Sequence, residues 1–322
     1  MKAAVYDQNG GPEVLRYADV PDPEVRRGGL VIEVKAIGIQ GGDLINRREG
    51  AMANRPHIVG YQASGIVREV GEGVDGFAPG QRVTAMMMHG SHAELASVTA
   101  RKAWPLPDSI SFEDGAAIPV EFGTASDCLF EFGRLRAGES VLVQAGSGGV
   151  GLAAIQLAKA AGATVFATAE GDGRLERLPE FGLDHGIDYL TQDVPAEIMR
   201  LTDGRGVDLA VDPVGGRALE GSIASLAYRG RISWMGNAGA GDQRPNIWPL
   251  MEKNGSITTI FFAMEQSRQP DRTYQLIAGL IERIGTGELR AVTDRTFPLA
   301  DAAEAHRYVE TGKALGRVLM VP

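Results

Sequence analysis

A two-part α/β fold, pairing a β-barrel-like domain with a doubly wound parallel sheet, is predicted by three features of this 322-residue chain. The first is Val141–Gly151, an apolar run that ends in glycines and leads into the alanine-rich stretch Leu152–Ala160. The second is the strand–helix alternation that follows it. The third is a change of texture before it, where short strand-like runs separated by Gly and Pro clusters replace the alternation. Repeated βα units bury a parallel sheet on both faces. Closely spaced strands with turn clusters point to a compact antiparallel domain.

The glycine stretch carries the most chemistry. Gly146, Gly148 and Gly151 fit G-x-G-x-x-G, with Ala145, Ser147, Gly149 and Val150 completing the turn. In a strand–turn–helix unit the first glycine permits the tight turn. The second lets the backbone approach a pyrophosphate, and the third lets helix and strand pack closely. The helix N-terminus then faces the anion. A glycine-rich turn in some other α/β unit fits the pattern alone, but the context favours a dinucleotide site. Gly162 closes the helix, and Ala163–Thr168, Val207–Asp212 and Gly230–Gly236 read as further strands.

Before the glycine stretch, Ala3–Tyr6, Leu30–Ala36, Ala63–Val70 and Gln81–Ala85 read as strands, divided by turns such as Gly71-Glu72-Gly73 and Ala78-Pro79-Gly80. Ser111 is placed to cap a short helix, which Pro119 interrupts, and Gly123–Phe132 reads as a helix. The tail reads as helix 274–284, strand 292–297, helix 300–310 and strand 317–321. A lone terminal strand needs a sheet to join, so the tail returns to the first domain. The expected division is 1–120 with 263–322, and 121–262.

Composition sets limits on function. Net charge is −9, from 32 basic and 41 acidic residues, which argues against nucleic acid or an anionic membrane as partner. Cys128 is the single cysteine, so no intramolecular disulfide and no cysteine-rich zinc site can form. No apolar run nears the roughly 20 residues of a membrane span. The N-terminus lacks a signal-peptide core, and a cytoplasmic location is expected. His89 and His92 flank Gly90-Ser91, but two ligands do not make a metal site. His57 is expected on an exposed loop, His185 and His306 in structural positions, and Met86-Met87-Met88 as a flexible lining.

Several further motifs align together: Ala36–Ile39 with Asp43, Val59–Val67, Phe77–Val83, Gly90–Glu94, Gly115–Pro119, Thr124-Ala125, Asp212–Gly216, Ala305-His306 and Gly316–Val318. With the glycine loop, they make the chain resemble the medium-chain dehydrogenase/reductase superfamily, and within it the zinc-independent quinone oxidoreductases of the zeta-crystallin type. The resemblance covers essentially the whole chain. It implies a GroES-like β domain, a Rossmann domain and a homodimer. Zinc-dependent relatives carry a Cys where this chain has Gln40, and a Gly-His-Glu where it has Gly60-Tyr61-Gln62, so no zinc is expected. A Tyr common in quinone reductases is replaced in the Ile45-Asn46 region.

By position in that family, the candidate catalytic residues are Gln40, Asp43, Tyr61, Gln62 and Thr124. Each has a plainer role open to it. Asp43 can orient its loop, Tyr61 can be a wall, and Thr124 can bond back within a helix. Cys128 reads as a buried hydrophobe. For the dinucleotide, Arg174 and Tyr189 sit where the resemblance places 2′-phosphate contacts and favour NADP(H). Glu170 opposes this by charge and keeps NAD(H) as the alternative. The resemblance also puts Gly236, Asn237, Phe261 and Phe262 near the nicotinamide, and Arg317 near phosphate or substrate. Three readings follow: hydride transfer from NADPH to a quinone, reduction of an enone or enoyl double bond on the same fold, or dinucleotide binding without catalysis.

Overall fold

The computed structural model describes residues 1–171, 173–239 and 244–322. The chain divides into two compact units, Met1–Val120 with Ala263–Pro322, and Glu121–Phe262. In chain order the first unit contains β1 (Lys2–Val5), β2 (Arg16–Asp19), β3 (Gly29–Gly38), α1 (Gly41–Glu49), β4 (Gln62–Val70), β5 (Arg82–Met86), β6 (Leu95–Thr99), β7 (Ala103–Pro105) and α2 (Phe112–Gly115). Helix α3 (Pro119–Ser126) leads into the second unit, with β8 (Ser140–Val143), α4 (Gly149–Ala160), β9 (Thr164–Ala169), β10 (His185–Asp188), α5 (Val194–Leu201), β11 (Val207–Asp212), α6 (Gly216–Ala224), β12 (Leu226–Trp234) and β13 (Ser256–Thr259). Helix α7 (Phe262–Arg268) returns the chain to the first unit, which ends with α8 (Pro270–Gly285), β14 (Thr293–Pro298), α9 (Ala302–Glu310) and β15 (Arg317–Val321).

The second unit is a parallel sheet in the order β10-β9-β8-β11-β12-β13. The order reverses between β8 and β11, the point at which open α/β sheets bind ligands beyond their carboxyl ends. Val141, Leu142 and Val143 are fully buried, as a strand covered on both faces must be. Helix α4 packs on the sheet through Ile155 and Leu157 and through Ala153, Ala154 and Ala158, whose small side chains permit close approach.

The first unit is organised on β3, which carries three partners. Antiparallel β4 lies along one edge. Along the other, β6 pairs with Gly29–Glu33 and β15 with Ile37 and Gly38. The tail strand thus completes the edge that β6 leaves open. Parallel β14 extends the sheet beyond β15, so it is mainly rather than wholly antiparallel. Its core is aliphatic, with Leu30, Ile32, Ile37 and Ile39 fully buried. Burying such a side chain contributes about 1.5–3 kcal/mol.

Three local expectations are corrected. His57 is buried, forms an isolated bridge with Tyr6 and meets its ring edge-on at 5.3 Å, because the loop containing it folds onto β1. Met87 packs into the β-sheet core rather than lining an opening, leaving only Met88 of that triplet exposed. Pro119 begins α3 instead of interrupting a helix, since a first-turn proline sacrifices no hydrogen bond.

Candidate functional site

In the second unit the glycine loop joins β8 to α4. The residue in the left-handed region is Ala145, with φ +53°, not a glycine. The glycines serve space instead. A Cβ on Gly146 would meet the Ala167 methyl at 2.7 Å, and one on Gly151 would run into the Ala145 carbonyl and the Gly146 backbone. A Cβ on Gly148 would touch only the Ala145 carbonyl, at 3.4 Å, so that face of the loop is open. Gly148 is the N-cap of α4, and the leading N–H groups of a helix have no intrahelical acceptor. An anion suits this place.

The carboxyl end of β9 carries Glu170. Arg174 Nη2 donates to one of its carboxylate oxygens at 2.6 Å, and the Tyr189 hydroxyl donates to the other at 2.9 Å. Arg174 is buried and Tyr189 exposed. Burial, with the Glu170 carboxylate, pushes the Tyr189 phenol up to about 12. The acid and the two donors that the sequence set against one another therefore form one cluster.

Two loops beyond β11 and β12 are zipped together. The Ala238 and Gly239 N–H groups donate to the Pro213 and Val214 carbonyls at 3.1 and 3.0 Å. Gly236 lies against the Pro213 carbonyl, and Asn237 is exposed beside Gly215. Phe261 is 60% exposed, whereas Phe262 is buried. Thr124 lies half-buried on α3. Cys128 is buried with its thiol pushed up by burial, as expected of a hydrophobe and not of a nucleophile.

In the first unit α1 gathers the polar candidates. Gln40 is its N-cap, and the Asp43 carboxylate accepts the Gln40 N–H at 2.7 Å, so the acid orients the start of the helix. Arg317 Nη1 donates to the Ile39 carbonyl at 2.7 Å. It braces the residue before that cap from inside the fold. Gln62 is fully buried. Its Nε2 donates to the Ala116 carbonyl at 2.6 Å and its Oε1 accepts the Val120 N–H at 2.9 Å, which ties β4 to the turn after α2 and to the first turn of α3. Gln62 and Arg317 thus have structural work that their positions in the sequence did not reveal.

Sequence reasoning missed the rest of this helix face. Asn46 Nδ2 donates to the Tyr61 hydroxyl at 2.6 Å. Tyr61 is half-buried, and its phenol is pushed up to about 12 by burial, with the Asp43 charge adding. Arg47, fully buried, donates to His306 Nδ1 at 2.9 Å, to Glu310 at 2.5 Å and to the Gly10 carbonyl at 3.2 Å. Arginine only donates, so His306 Nδ1 accepts and its Nε2 carries the proton, facing His92 Nε2 at 2.9 Å. Asp43, Asn46 and Arg47 stand at i, i+3 and i+4, the one signal in the sequence that they share a face.

The bonds these groups already make bear on zinc. Both ends of the Gln62 amide are engaged and the Tyr61 oxygen holds Asn46, so the positions do not suit a zinc ion. Among the described residues no cluster of three His, Cys, Asp or Glu could hold a metal, and no helix is long and apolar enough to cross a membrane.

Comparison with known proteins places this geometry. Residues 26–108 match the model of the alcohol dehydrogenase GroES-like domain, and residues 149–279 match that of the zinc-binding dehydrogenases. The chain is 31% identical over 335 residues to the human synaptic vesicle membrane protein VAT-1 homolog, covering 97% of this chain and 84% of that one. It is 30% identical over 317 residues to a phenolphthiocerol/phthiocerol polyketide synthase of Mycobacterium tuberculosis. That match takes in 98% of this chain but spans only 14% of the synthase chain. The Escherichia coli quinone oxidoreductase complexed with NADPH superposes with a TM-score of 0.93 at 28% identity, with 100% of both chains covered. With a GroES-like domain, a doubly wound parallel sheet and relatives such as these, the chain belongs to the medium-chain dehydrogenase/reductase superfamily, among its quinone oxidoreductase-like members.

Proposed function

We propose that the protein is an NADPH-dependent reductase of small electron-poor acceptors, with quinones as the first class. The observation that carries this is the glycine loop at the reversal point of the parallel sheet, in a chain that matches an NADPH-complexed quinone oxidoreductase from end to end. Residues 145–151 would hold the pyrophosphate, with Gly148 as the open face and the α4 N-terminus as the dipole. Arg174 and Tyr189 would take the 2′-phosphate in place of Glu170, and Gly236, Asn237, Phe261 and Phe262 would flank the nicotinamide. Bound there, the reduced nicotinamide supplies a hydride.

The acceptor gains negative charge on an oxygen conjugated with the carbon that receives the hydride. Tyr61 is the group we assign to that oxygen. Its hydroxyl already accepts from Asn46, which leaves its own proton free to donate elsewhere. With its pKa near 12 the phenol stays protonated at neutral pH and serves as a hydrogen-bond donor. Asp43 and Gln40 set the start of the helix that presents Asn46. Thr124 remains a candidate for contact with the acceptor. The same donor suits the enolate oxygen of an α,β-unsaturated ketone or thioester. The match to a polyketide synthase segment favours keeping this second acceptor class.

A paired assay decides. Oxidation of NADPH and of NADH is followed against a small quinone and against an α,β-unsaturated ketone. Turnover of NADPH with the quinone is expected. Turnover confined to the ketone would move the second class ahead. Cofactor binding with no turnover on any pair would favour a non-catalytic dinucleotide-binding protein.

A further inference from the structure

The carboxyl ends of β9, β8 and β11 are joined by a chain of buried side chains with no part in the roles above. The Ala145 N–H donates to Thr168 Oγ1 at 3.1 Å, and Thr168 Oγ1 donates to Gln144 Oε1 at 2.7 Å. Gln144 Nε2 then donates to Ser222 Oγ at 3.0 Å, and Ser222 Oγ donates to Asp212 Oδ2 at 2.8 Å. Asp212 Oδ1 closes the chain by accepting the Val214 and Gly215 N–H groups, each at 2.8 Å. None of the four side chains is more than 4% exposed.

The direction of the chain is set at its Asp212 end. The Ala145 N–H fills one acceptor position of Thr168 Oγ1, whose own proton goes onward to Gln144 Oε1. Burial pushes the Asp212 carboxyl up, while the Gly215, Ser222 and Val214 donors act against that shift; as a carboxylate it only accepts, and the Ser222 proton points toward it. Between them the Gln144 amide fits in one orientation. With the members buried, water cannot readily replace a lost link, and a broken bond leaves an unpaired polar group. The chain crosses the reversal point of strand order, from β8 to β11. It ends on two residues that hold left-handed backbone, Ala145 at φ +53° and Gly215 at φ +73°. Each opens or shapes a loop beyond the sheet.

Resting on the dinucleotide reading above, we infer that Gln144, Thr168, Ser222 and Asp212 are positioning residues for the coenzyme, their hydrogen-bond chain setting the glycine loop and the 213–216 loop at a fixed spacing across the reversal point. None of them need touch the coenzyme. Gln144 is the central link, because its amide joins Thr168 on β9 to Ser222 on α6.

The test compares Thr168→Val, Thr168→Ser, Gln144→Leu and Ser222→Ala with the wild-type protein. Readouts are NADPH dissociation constant by fluorescence, kcat and KM, and amide hydrogen exchange at Ala145 and Gly215. In T168V and Q144L the NADPH dissociation constant and KM should rise about tenfold, while kcat at saturating coenzyme stays within about threefold. Exchange at Ala145 should quicken in both, and T168S should restore wild-type values. If T168V does not fold, S222A carries the same comparison, with Gly215 as the exchange probe. Unchanged affinity and exchange in the variants, or a T168S as impaired as T168V, would overturn the positioning role while wild-type binding leaves the dinucleotide reading intact. A wild-type protein that binds neither NADPH nor NADH would overturn that reading and this inference with it.

Discussion

Tyr61 illustrates how far a neighbour decides what one side chain does. Read alone, it is equally a wall or a donor. With Asn46 donating to its oxygen, the phenolic proton is the part left to act. Tyr61→Phe should lower kcat/KM on an enone by about 10- to 100-fold, since one oxyanion donor is lost. Its cost in stability should stay near the 1 kcal/mol or so of an ordinary hydrogen bond. Steady-state kinetics and urea unfolding separate the two effects, and a stability loss without a kinetic one would return Tyr61 to the wall. Glu170 makes a second prediction at this scale. It engages Arg174 and Tyr189, so it competes with a 2′-phosphate for both. Glu170→Ser should shift the ratio of NADPH to NADH affinity toward NADPH by about tenfold, close to 1.4 kcal/mol. A titration of both coenzymes against both proteins checks it, and an unchanged ratio would remove Glu170 from coenzyme choice.

At the scale of the element, the glycine loop separates packing from binding. Gly151 sits where α4 crosses the loop, and a methyl group there has the Ala145 carbonyl in its path. Gly151→Ala should cost about 1–3 kcal/mol through overpacking, and coenzyme binding should fall with it as the helix shifts. Gly148→Ala meets only ordinary contact with one carbonyl. That variant should keep its unfolding midpoint yet bind NADPH more weakly, because the added methyl stands on the open face. Thermal unfolding paired with coenzyme titration distinguishes the two glycines. If G148A bound normally, the pyrophosphate would have to be assigned to another face.

At the scale of the molecule, buried histidines make the fold sensitive to acid. Burial pushes His92 down to about 3 and His306 well below its usual value, with the Arg47 guanidinium adding to the effect on His306. Glu310 faces Arg47 on the other side. A histidine held neutral in the folded state takes up a proton on unfolding once the pH drops below about 6.5. The unfolded chain then binds more protons than the native one, so stability is full above that pH and falls as acid is added. Each such histidine contributes up to about 1.4 kcal/mol per pH unit. His57 and His89 are displaced in the same direction, also by burial. His306→Gln retains an acceptor toward Arg47 and a donor toward His92. It should reduce the slope of unfolding free energy between pH 6 and 5 by about one proton. Urea unfolding at several pH values measures that slope, and an unaltered slope would mean that His306 already titrates in the folded protein.

What the sequence determined by itself was the class of fold and the location of its nucleotide-type turn. Val141–Val143 is apolar enough to be buried on both faces, and Gly146, Gly148 and Gly151 are spaced so that a helix can press against the turn. These are local properties, readable wherever a few adjacent residues must satisfy one geometry. The tail strand 317–321 was legible for a related reason, because unpaired backbone needs a sheet. Tertiary structure alone decided the partnerships. Glu170 and Tyr189 are 19 residues apart, Gln144 and Ser222 are 78 apart, and Arg47 and His306 are 259 apart. No periodicity reports such a meeting. The same distance explains why Gln62 and Arg317 read as site residues from their motifs, yet spend their polar groups on Ala116, Val120 and Ile39. A buried polar side chain takes whatever partner the folded chain brings within reach, and that choice exists only once the strands have paired.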